Sequence, residues 1–223
     1  MPGLLRRNFG PVIRPKGKEA FLKALPAGAR LLDVGCGNNS PLNSKQCAPS
    51  IHYTGLDIGD YNQKVDSIDS ADEYVITTSA EFASTIESMA GSFDAVISAH
   101  NLEHCEEQDR TLRAMCGALN ERGKIFLAFP CEASVGFPSR SRTLNFFDDP
   151  THNRPVELSR AIDILTSSGM TLTVLKKRYR PPLLCTAGLL LEPVSALTRT
   201  AMPLTTTWSL WGFETIIWAK RET

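Results

Sequence analysis

Residues 31–37 read Leu-Leu-Asp-Val-Gly-Cys-Gly, an apolar run that ends in an acid and two closely spaced glycines. Leucine and valine in succession favour a strand that is buried on both faces of a parallel sheet. Gly35 and Gly37 then predict a tight turn, because a residue without a Cβ lets the backbone approach a ligand closely. The stretch therefore predicts a buried strand whose carboxyl end presents a turn to a nucleotide-like ligand.

The glycine spacing departs from the dinucleotide-binding fingerprint. The six residues that start at Gly35 read Gly-Cys-Gly-Asn-Asn-Ser, so Ser40 stands where that fingerprint has its third glycine. The third glycine allows the close helix packing from which a helix N-terminus holds a pyrophosphate. Its absence disfavours a nicotinamide-dependent oxidoreductase, which remains an alternative, and a plain tight loop also fits the turn taken by itself.

Three further motifs follow this turn in order along the chain. They are the strand-like run 52–57 that ends in an acid, the strand-like run 92–98 with Leu-Glu-His behind it at 102–104, and the glycine turn and strand at 123–127. With the acid and Gly-x-Gly of 33–37, this succession resembles the class I S-adenosylmethionine-dependent methyltransferases of the small-molecule type. The resemblance implies an α/β fold, a Rossmann-like doubly wound sheet of seven strands with an antiparallel last strand. The alternation of strand-like and helix-like segments agrees with it.

The resemblance also implies S-adenosyl-L-methionine as the cofactor. It places the methionine portion at the turn after strand one and the ribose hydroxyls on the acid that ends strand two. Ser79 stands where the family usually has an acid that contacts the adenine amine, so Ser79 and Ala80 are expected only as adenine neighbours. The expected cofactor-binding residues are Asp33, Gly35, Cys36, Gly37, Asp57, Ile58, Ser79, Ala80, Asn101 and Leu102.

Transfer of a methyl group from a sulfonium needs an acceptor held close to the methyl carbon, and the protein need not supply a covalent nucleophile. A hydroxyl acceptor also needs a base, for which histidine is the natural choice. His152 is the preferred general base, with Asp148 or Asp149 to orient it and His104 as the second candidate. His152 could instead cap the following helix or tie down its loop. No cluster of acids and histidines has metal-ligand spacing, so no metal is predicted.

A single domain is expected over residues 1–223, with residues 1–28 as an N-terminal arm. The stretch 131–157 is too long for an ordinary connection and concentrates aromatics, acids and a histidine near its centre, which predicts a substrate-facing lid. The polar stretch between Asp57 and Glu73 is expected to be a surface loop. Residues 180–211 form an apolar insertion between strands six and seven, expected to pack over the substrate pocket.

Charge and apolar content restrict the partners. With 24 basic and 24 acidic residues, no global field favours nucleic acid. The longest uncharged run of the insertion, residues 200–211, has 12 residues, against the roughly 20 that a transmembrane helix needs. No transmembrane span is therefore predicted, while a peripheral lipid contact or a homodimer surface remains open.

The cysteines and the first ten residues indicate the cellular compartment of the protein. Six scattered cysteines without a C-x-x-C pair suit reduced thiols in a cytoplasmic protein, and residues 1–10 lack the apolar core of a signal peptide.

The sequence thus predicts a methyltransferase acting on a hydroxyl or amine of a small-molecule acceptor. The stretch 148–155 is similar to methyltransferases encoded among polysaccharide-synthesis genes, which suggests a sugar or sugar-containing intermediate. A cofactor-binding protein that has lost catalysis and works through 180–211 is the alternative from another class.

Overall fold

Seven strands form one mixed sheet in the computed structural model, which describes residues 9–222. The strands are β1 (Arg30–Val34), β2 (His52–Asp57), β3 (Glu73–Ile76), β4 (Phe93–Ala99), β5 (Leu119–Pro130), β6 (Met170–Lys176) and β7 (Glu214–Arg221). Their order in the sheet is β3-β2-β1-β4-β5-β7-β6. Neighbours from β3 to β5 are parallel, whereas β7 runs antiparallel to both β5 and β6. The fold class predicted from the sequence is confirmed.

Helices connect the strands. They are α1 (Lys18–Lys23), α2 (Ser40–Cys47), α3 (Val65–Ile68), α4 (Phe82–Glu87), α5 (Gln108–Ala118), α6 (Leu158–Ser167), α7 (Pro182–Thr198) and α8 (Thr206–Trp211). Short 3₁₀ turns occupy Leu102–His104, Glu132–Gly136 and Phe146–Asp148. None of the helices within residues 9–222 is long and apolar enough to cross a membrane. The part of the expected N-terminal arm before residue 9 lies outside the described residues.

The apolar residues of β1 are explained by the two cores that flank the sheet. Leu31 packs into the core beneath α1 with Tyr53 and Phe126, while Leu32 and Val34 pack into the core on the other face. Successive side chains of a strand point to opposite faces, so a strand covered on both sides carries apolar residues on both faces. The carboxyl end of β1 is thereby fixed at the centre of the sheet.

The polar stretch after β2 is more ordered than its composition predicted. Tyr61 accepts a backbone hydrogen bond from Asn38 (N–O 3.0 Å), which joins this stretch to the glycine turn. Ser67, in α3, is fully buried, and its Oγ lies 3.4 Å from the backbone nitrogen of Leu42. Most residues of this stretch are exposed, as expected of a surface loop, and the short helix α3 with its buried Ser67 is the ordered part. Ser67 can be buried because a backbone group satisfies its hydroxyl.

The stretch 131–157 packs against the body of the protein. Phe137 and Leu144 share a small apolar cluster with Phe213. The Asp148 carboxylate accepts backbone hydrogen bonds from Arg140 (3.0 Å), Leu144 (2.9 Å) and Asn145 (2.7 Å). Asp148 therefore holds the loop together and does not orient His152, a role that sequence proximity alone had suggested. That residues 131–157 act as a lid stays a prediction.

Helices α7 and α8 form the insertion between β6 and β7, and they meet at a glycine. A Cβ built on Gly188 would lie 2.3 Å from the carbonyl oxygen of Thr206, so backbone approaches backbone at this point. Replacing Gly188 by alanine should separate the two helices and lower the free energy of unfolding by about 1–3 kcal/mol. Urea denaturation would measure the change.

Gly136→Ala is the matched control, because a Cβ there meets nothing within 4 Å. Equal stability of the two variants would contradict the tight helix contact.

Candidate functional site

A cavity of about 910 Å³ opens where the carboxyl ends of β1, β2 and β4 lie side by side. Its volume is at the upper end of the range for small-molecule sites, roughly 300–1,000 Å³. Ten residues singled out from the sequence line it: Gly35, Gly37, Asp57, Ile58, Ser79, Ala80, Asn101, His104, Asp149 and His152. The parallel sheet brings them together, because strands that run in one direction present their following loops at the same edge.

Gly35 has no tolerable substitute at the turn after β1. Its φ is +75°, a conformation that side chains disfavour, and a Cβ there would lie 2.4 Å from the side chain of Asn101. Asn101 follows β4, so the missing side chain lets the turn and the loop after β4 pack against each other at the cavity. The first glycine of the motif thus shapes the site.

Asp57 ends β2 and is nearly buried where it lines the cavity. Its Oδ1 accepts a hydrogen bond from the backbone nitrogen of Ile58 (2.8 Å). Burial raises the pKa of Asp57, although the backbone N–H groups of Ile58 and Gly37 partly oppose this rise. A buried carboxylate of this kind gains from ligand hydroxyls that donate hydrogen bonds to it.

Asp33 does not reach the cavity surface. Its Oδ2 accepts hydrogen bonds from Lys18 Nζ (3.0 Å), Ser40 Oγ (2.5 Å) and Tyr53 Oη (2.6 Å). Lys18 and Ser40 both line the cavity, so Asp33 acts through them. These three hydrogen bonds all use Oδ2, and direct contact of the Asp33 side chain with a ligand, as expected from the sequence, stays a prediction.

Two further expected cofactor residues face the protein interior. Cys36 packs in the core beneath α1, with its Sγ 2.8 Å from where a Cβ of Gly55 would stand. Leu102 is buried in the opposite core. A sequence motif at the end of a strand does not reveal which of its side chains turn inward. Cys36 and Leu102 are apolar, and both are buried in the protein interior.

Lys18 is a cavity residue that the sequence did not reveal. It begins α1, and its Nζ is held by the Asp33 carboxylate and by a short hydrogen bond to Ser40 Oγ. The ion pair fixes a cation beside the glycine turn. A lone lysine in an N-terminal segment gives no sequence signal for such a position.

His104 and His152 stand together at the cavity, with ring centroids 4.8 Å apart. The Nδ1 of His152 lies 2.6 Å from the carbonyl oxygen of Phe146, and that of His104 lies 3.1 Å from the carbonyl oxygen of Thr151. A carbonyl oxygen only accepts, so each Nδ1 carries the hydrogen and, in the neutral ring, each Nε2 keeps the lone pair. The arrangement presents two imidazoles in the tautomer that accepts a proton at Nε2.

Asp149 lies beside the histidine pair, with its Oδ2 3.9 Å from Nε2 of His152. Burial by itself raises the pKa of Asp149, but hydrogen bonds from Thr151 and the nearby histidines outweigh it and lower that pKa. Asp149 is therefore a carboxylate at neutral pH, close enough to stabilise a protonated His152 by charge.

Glu103 completes a group that sequence spacing did not indicate. One oxygen of Glu103 and one ring nitrogen each of His104 and His152 lie within 4.8 Å of one another. These donors are suited to a transition-metal ion. The fold makes this group by folding the 131–157 stretch back onto the loop after β4.

His100 forms a charged network that the sequence also did not predict. Its Nδ1 lies 3.2 Å from Glu103 Oε1 and its Nε2 lies 3.0 Å from Glu214 Oε1, while Arg14 makes a short ion pair with Glu214. Burial lowers the pKa of His100, but its hydrogen bonds to the two carboxylates outweigh burial and raise that pKa to about 10. Burial likewise opposes ionisation of Glu214, yet Arg14 and His100 hold its pKa at about 2. His100 is therefore a cation and not a base at neutral pH.

Aromatic rings enclose this cation at the cavity wall. His100 stacks on Phe213 at a centroid distance of 6.2 Å, and Trp208 lies 5.1 Å from it. All three line the cavity. The position of His100 directly after β4 was the one signal that could have identified it, since ligands bind at that end of a parallel sheet.

Comparison with known proteins identifies the family. Residues 6–173 match a protein family described as a methyltransferase domain, a match over more than half of the chain. The chain belongs to this family. It is a class I S-adenosylmethionine-dependent methyltransferase, so the family and cofactor predicted from the sequence are confirmed and the nicotinamide alternative is displaced.

Curated relatives of the methyltransferase carry O-methyltransferase names. The chain is 28% identical over 173 residues to "Ubiquinone biosynthesis O-methyltransferase" of Marinobacter nauticus, covering 69% of this chain and 72% of that protein. It is 33% identical over 108 residues to a protein of the same name from Xanthomonas axonopodis, covering 46% of this chain and 44% of that protein. It is 30% identical over 127 residues to "27-O-demethylrifamycin SV methyltransferase" of Amycolatopsis mediterranei, covering 52% and 45%. The last two matches thus span less than half of the relatives' length.

Solved structures support the fold of the methyltransferase. A SAM-dependent methyltransferase from Archaeoglobus fulgidus superposes with a TM-score of 0.55 at 20% identity, covering 96% of this chain and 98% of that one. An S-adenosylmethionine-dependent methyltransferase from Mesorhizobium loti gives 0.57 at 17% identity, covering 91% and 96%. At these identities the likeness concerns the fold alone.

The charged network predicts how stability of the methyltransferase depends on pH. Despite burial, the folded-state pKa of His100 is raised by its ion pairs with Glu103 and Glu214. Their contribution to the free energy of unfolding is therefore full below the ordinary histidine pKa of about 6.5 and is lost as pH rises through about 10. The pKa of Glu214 is depressed, so its contribution is present above about 4.3 and is lost as pH falls through about 2.

Chemical denaturation across the alkaline range should show a decline in the free energy of unfolding that is smaller in His100→Gln. Parallel alkaline profiles of wild type and variant would contradict the assignment of His100 as a structural cation.

Proposed function

We propose that this methyltransferase transfers a methyl group from S-adenosylmethionine to a hydroxyl of a small molecule, with His152 as the general base. The observation that carries the proposal is the Nδ1–H of His152 bound to the Phe146 carbonyl, which leaves Nε2 as a basic nitrogen at the cavity. A hydroxyl must lose a proton to become a good nucleophile, and a base within reach of that proton supplies this step. The O-methyltransferase names of the relatives favour oxygen over nitrogen.

The residues at the glycine turn fit the cofactor. Gly37 and Asp57 both line the cavity, and the Asp57 carboxylate suits the two ribose hydroxyls that the family resemblance assigns to it. The Lys18 ammonium, held by Asp33 at the same cavity, suits the carboxylate of the methionine portion. When bound, S-adenosylmethionine supplies an electrophilic methyl group.

The protein's own groups then carry out the acid–base work. His104, Asp149, His152, Trp208 and Phe213 also line the cavity, and in this proposal they orient the acceptor. His152 takes the hydroxyl proton at Nε2, and the Asp149 carboxylate stabilises the imidazolium that results. Orientation of the acceptor supplies much of the rate enhancement.

An acceptor screen tests the proposal. Wild-type protein is incubated with methyl-labelled S-adenosylmethionine and a panel of phenols, catechols, sugar nucleotides and primary amines, with and without a chelator. Label transfer to a hydroxyl compound supports the proposal, and transfer to a sugar nucleotide would extend it to the sugar-containing acceptor that residues 148–155 suggested.

Other outcomes of the screen count against the proposal. Transfer to amines alone would contradict oxygen as the acceptor atom. Activity lost in chelator and restored by a divalent metal ion would contradict His152 as a free base, because Glu103, His104 and His152 could then hold that ion. Tight cofactor binding without transfer to any acceptor class would favour the binding-protein alternative.

The proposal includes a cytoplasmic location. Five cysteines within the described part of the chain, Cys36, Cys105, Cys116, Cys131 and Cys185, are free thiols. Free thiols are typical of a reducing compartment.

A further inference from the structure

Helix α7 has its polar and apolar sides reversed relative to an ordinary surface helix. Leu183, Leu190, Val194 and Leu197 are spaced by seven, four and three residues, so they share one side of the helix, and all four are exposed. We call them the leucine stripe. Leu190 and Leu197 are 76% and 87% exposed.

The opposite side of α7 faces the protein and carries Leu184 together with small and polar residues. Gly188 is buried against α8, Ser195 is fully buried with its hydroxyl bonded to the carbonyl of Thr200 (2.7 Å), and Glu192 pairs with buried Arg140 (2.6 Å). The side of α7 that carries Gly188, Glu192 and Ser195 therefore packs within the chain, and the leucine stripe faces outward. Exposed apolar patches of this kind mark binding surfaces.

Basic residues lie at both ends of the leucine stripe. Residues 176–213 contain five basic residues and one acid, Glu192, although basic and acidic residues balance over the whole chain. Four of the five, Lys176, Lys177, Arg178 and Arg180, precede the helix, and the fifth, Arg199, follows it directly. The single acid is paired with Arg140, so the segments that flank the stripe in the chain carry a net positive charge.

We propose that the leucine stripe docks the protein on an anionic lipid surface. An apolar helix face lying in the plane of a membrane, with cations at its borders, gains both from burial of its side chains and from attraction to anionic headgroups. The 17 residues of α7 lie along the surface and do not cross it.

A second copy of the chain is disfavoured by the same charges. If two stripes packed in parallel, the basic cluster before α7 would face its own copy. If they packed antiparallel, it would face Arg199 of the other copy, so like charges meet in either orientation. An anionic surface instead attracts both ends.

Vesicle sedimentation tests the proposal. The full chain is mixed with vesicles of phosphatidylcholine alone or of phosphatidylcholine with phosphatidylglycerol, at low and high salt. The wild type should sediment with the anionic vesicles and less so at high salt. Leu190→Gln/Leu197→Gln should lower the partition coefficient about tenfold or more, and so should Lys176→Gln/Lys177→Gln on anionic vesicles.

Val65→Gln/Ile76→Gln is the matched control. Both residues are exposed, and Ile76 ends β3 at the far edge of the sheet from β6, so this variant should bind vesicles like the wild type. Equal binding by the stripe variant and the wild type, or no binding by the wild type, would overturn the proposal.

Analytical ultracentrifugation tests the alternative that a second copy of the chain covers the leucine stripe. A wild-type dimer that Leu190→Gln/Leu197→Gln converts to monomers, without vesicle binding, would identify a second copy on the stripe and overturn the lipid proposal. Vesicle binding requires no methyl transfer, so a failed acceptor screen does not affect this result.

Discussion

Replacing Asp57 by alanine is expected to weaken binding of S-adenosylhomocysteine by about a hundredfold or more. Each hydrogen bond to a charged group contributes about 1.5–3 kcal/mol, and the Asp57 carboxylate is expected to accept two from the ribose. It lies nearly buried at the cavity, where water competes poorly for those hydrogen bonds. Calorimetric titration of wild type and variant would measure the loss.

The Asp57→Ala variant should remain folded, so weaker binding would report on the cofactor site. Burial raises the pKa of Asp57, so the unliganded fold gains nothing from its charge, and the variant should unfold at least as late as the wild type in denaturant. Asp60→Ala is the matched control, because Asp60 is an exposed acid three residues further on. Unchanged affinity in Asp57→Ala would remove Asp57 from the cofactor site.

Replacing His152 by alanine is expected to lower kcat by about 10²- to 10⁴-fold once an acceptor is known. The expected loss is that of a general base whose Nε2 lone pair is fixed by the hydrogen bond from Nδ1 to the Phe146 carbonyl (2.6 Å). Affinity for S-adenosylhomocysteine should stay within a few fold of wild type, because the glycine turn and Asp57 are untouched. Steady-state kinetics together with calorimetry would separate the two effects.

His152→Asn separates the base from its structural contact. An asparagine amide can donate to the Phe146 carbonyl but cannot accept a proton, so this variant should be as inactive as His152→Ala. His52→Ala is the control, because His52 begins β2 at the sheet end away from the cavity. Full activity in His152→Asn, or an equal loss in His52→Ala, would contradict the assignment of His152.

The site residues at the carboxyl ends of the strands could be predicted from local sequence. Gly35 and Asp57 were predicted because each directly follows or ends a strand of the parallel sheet, and such positions reach the ligand edge whatever the rest of the fold does. The antiparallel last strand was likewise predicted, from the family resemblance.

Other residues were misplaced or missed for a common physical reason. Asp33 belongs to the same motif as Gly35, yet its carboxylate is taken by Lys18, Ser40 and Tyr53, three residues that no local pattern links to it. Burial of a charge requires partners, and where those partners come from is decided by packing of α1 and β2 around β1.

The amino-acid sequence by itself determined the order of strands and helices along the chain, the glycine turn and the acid that ends β2 at the cavity, because these depend on side-chain pattern and backbone freedom over a few residues. Tertiary structure alone decided that His104 and His152 stand 4.8 Å apart, that His100 is held as a cation between Glu103 and Glu214, and that α7 turns its leucines outward. Each of these depends on contacts between segments far apart in the chain, whose energies arise only once the sheet has brought those segments together.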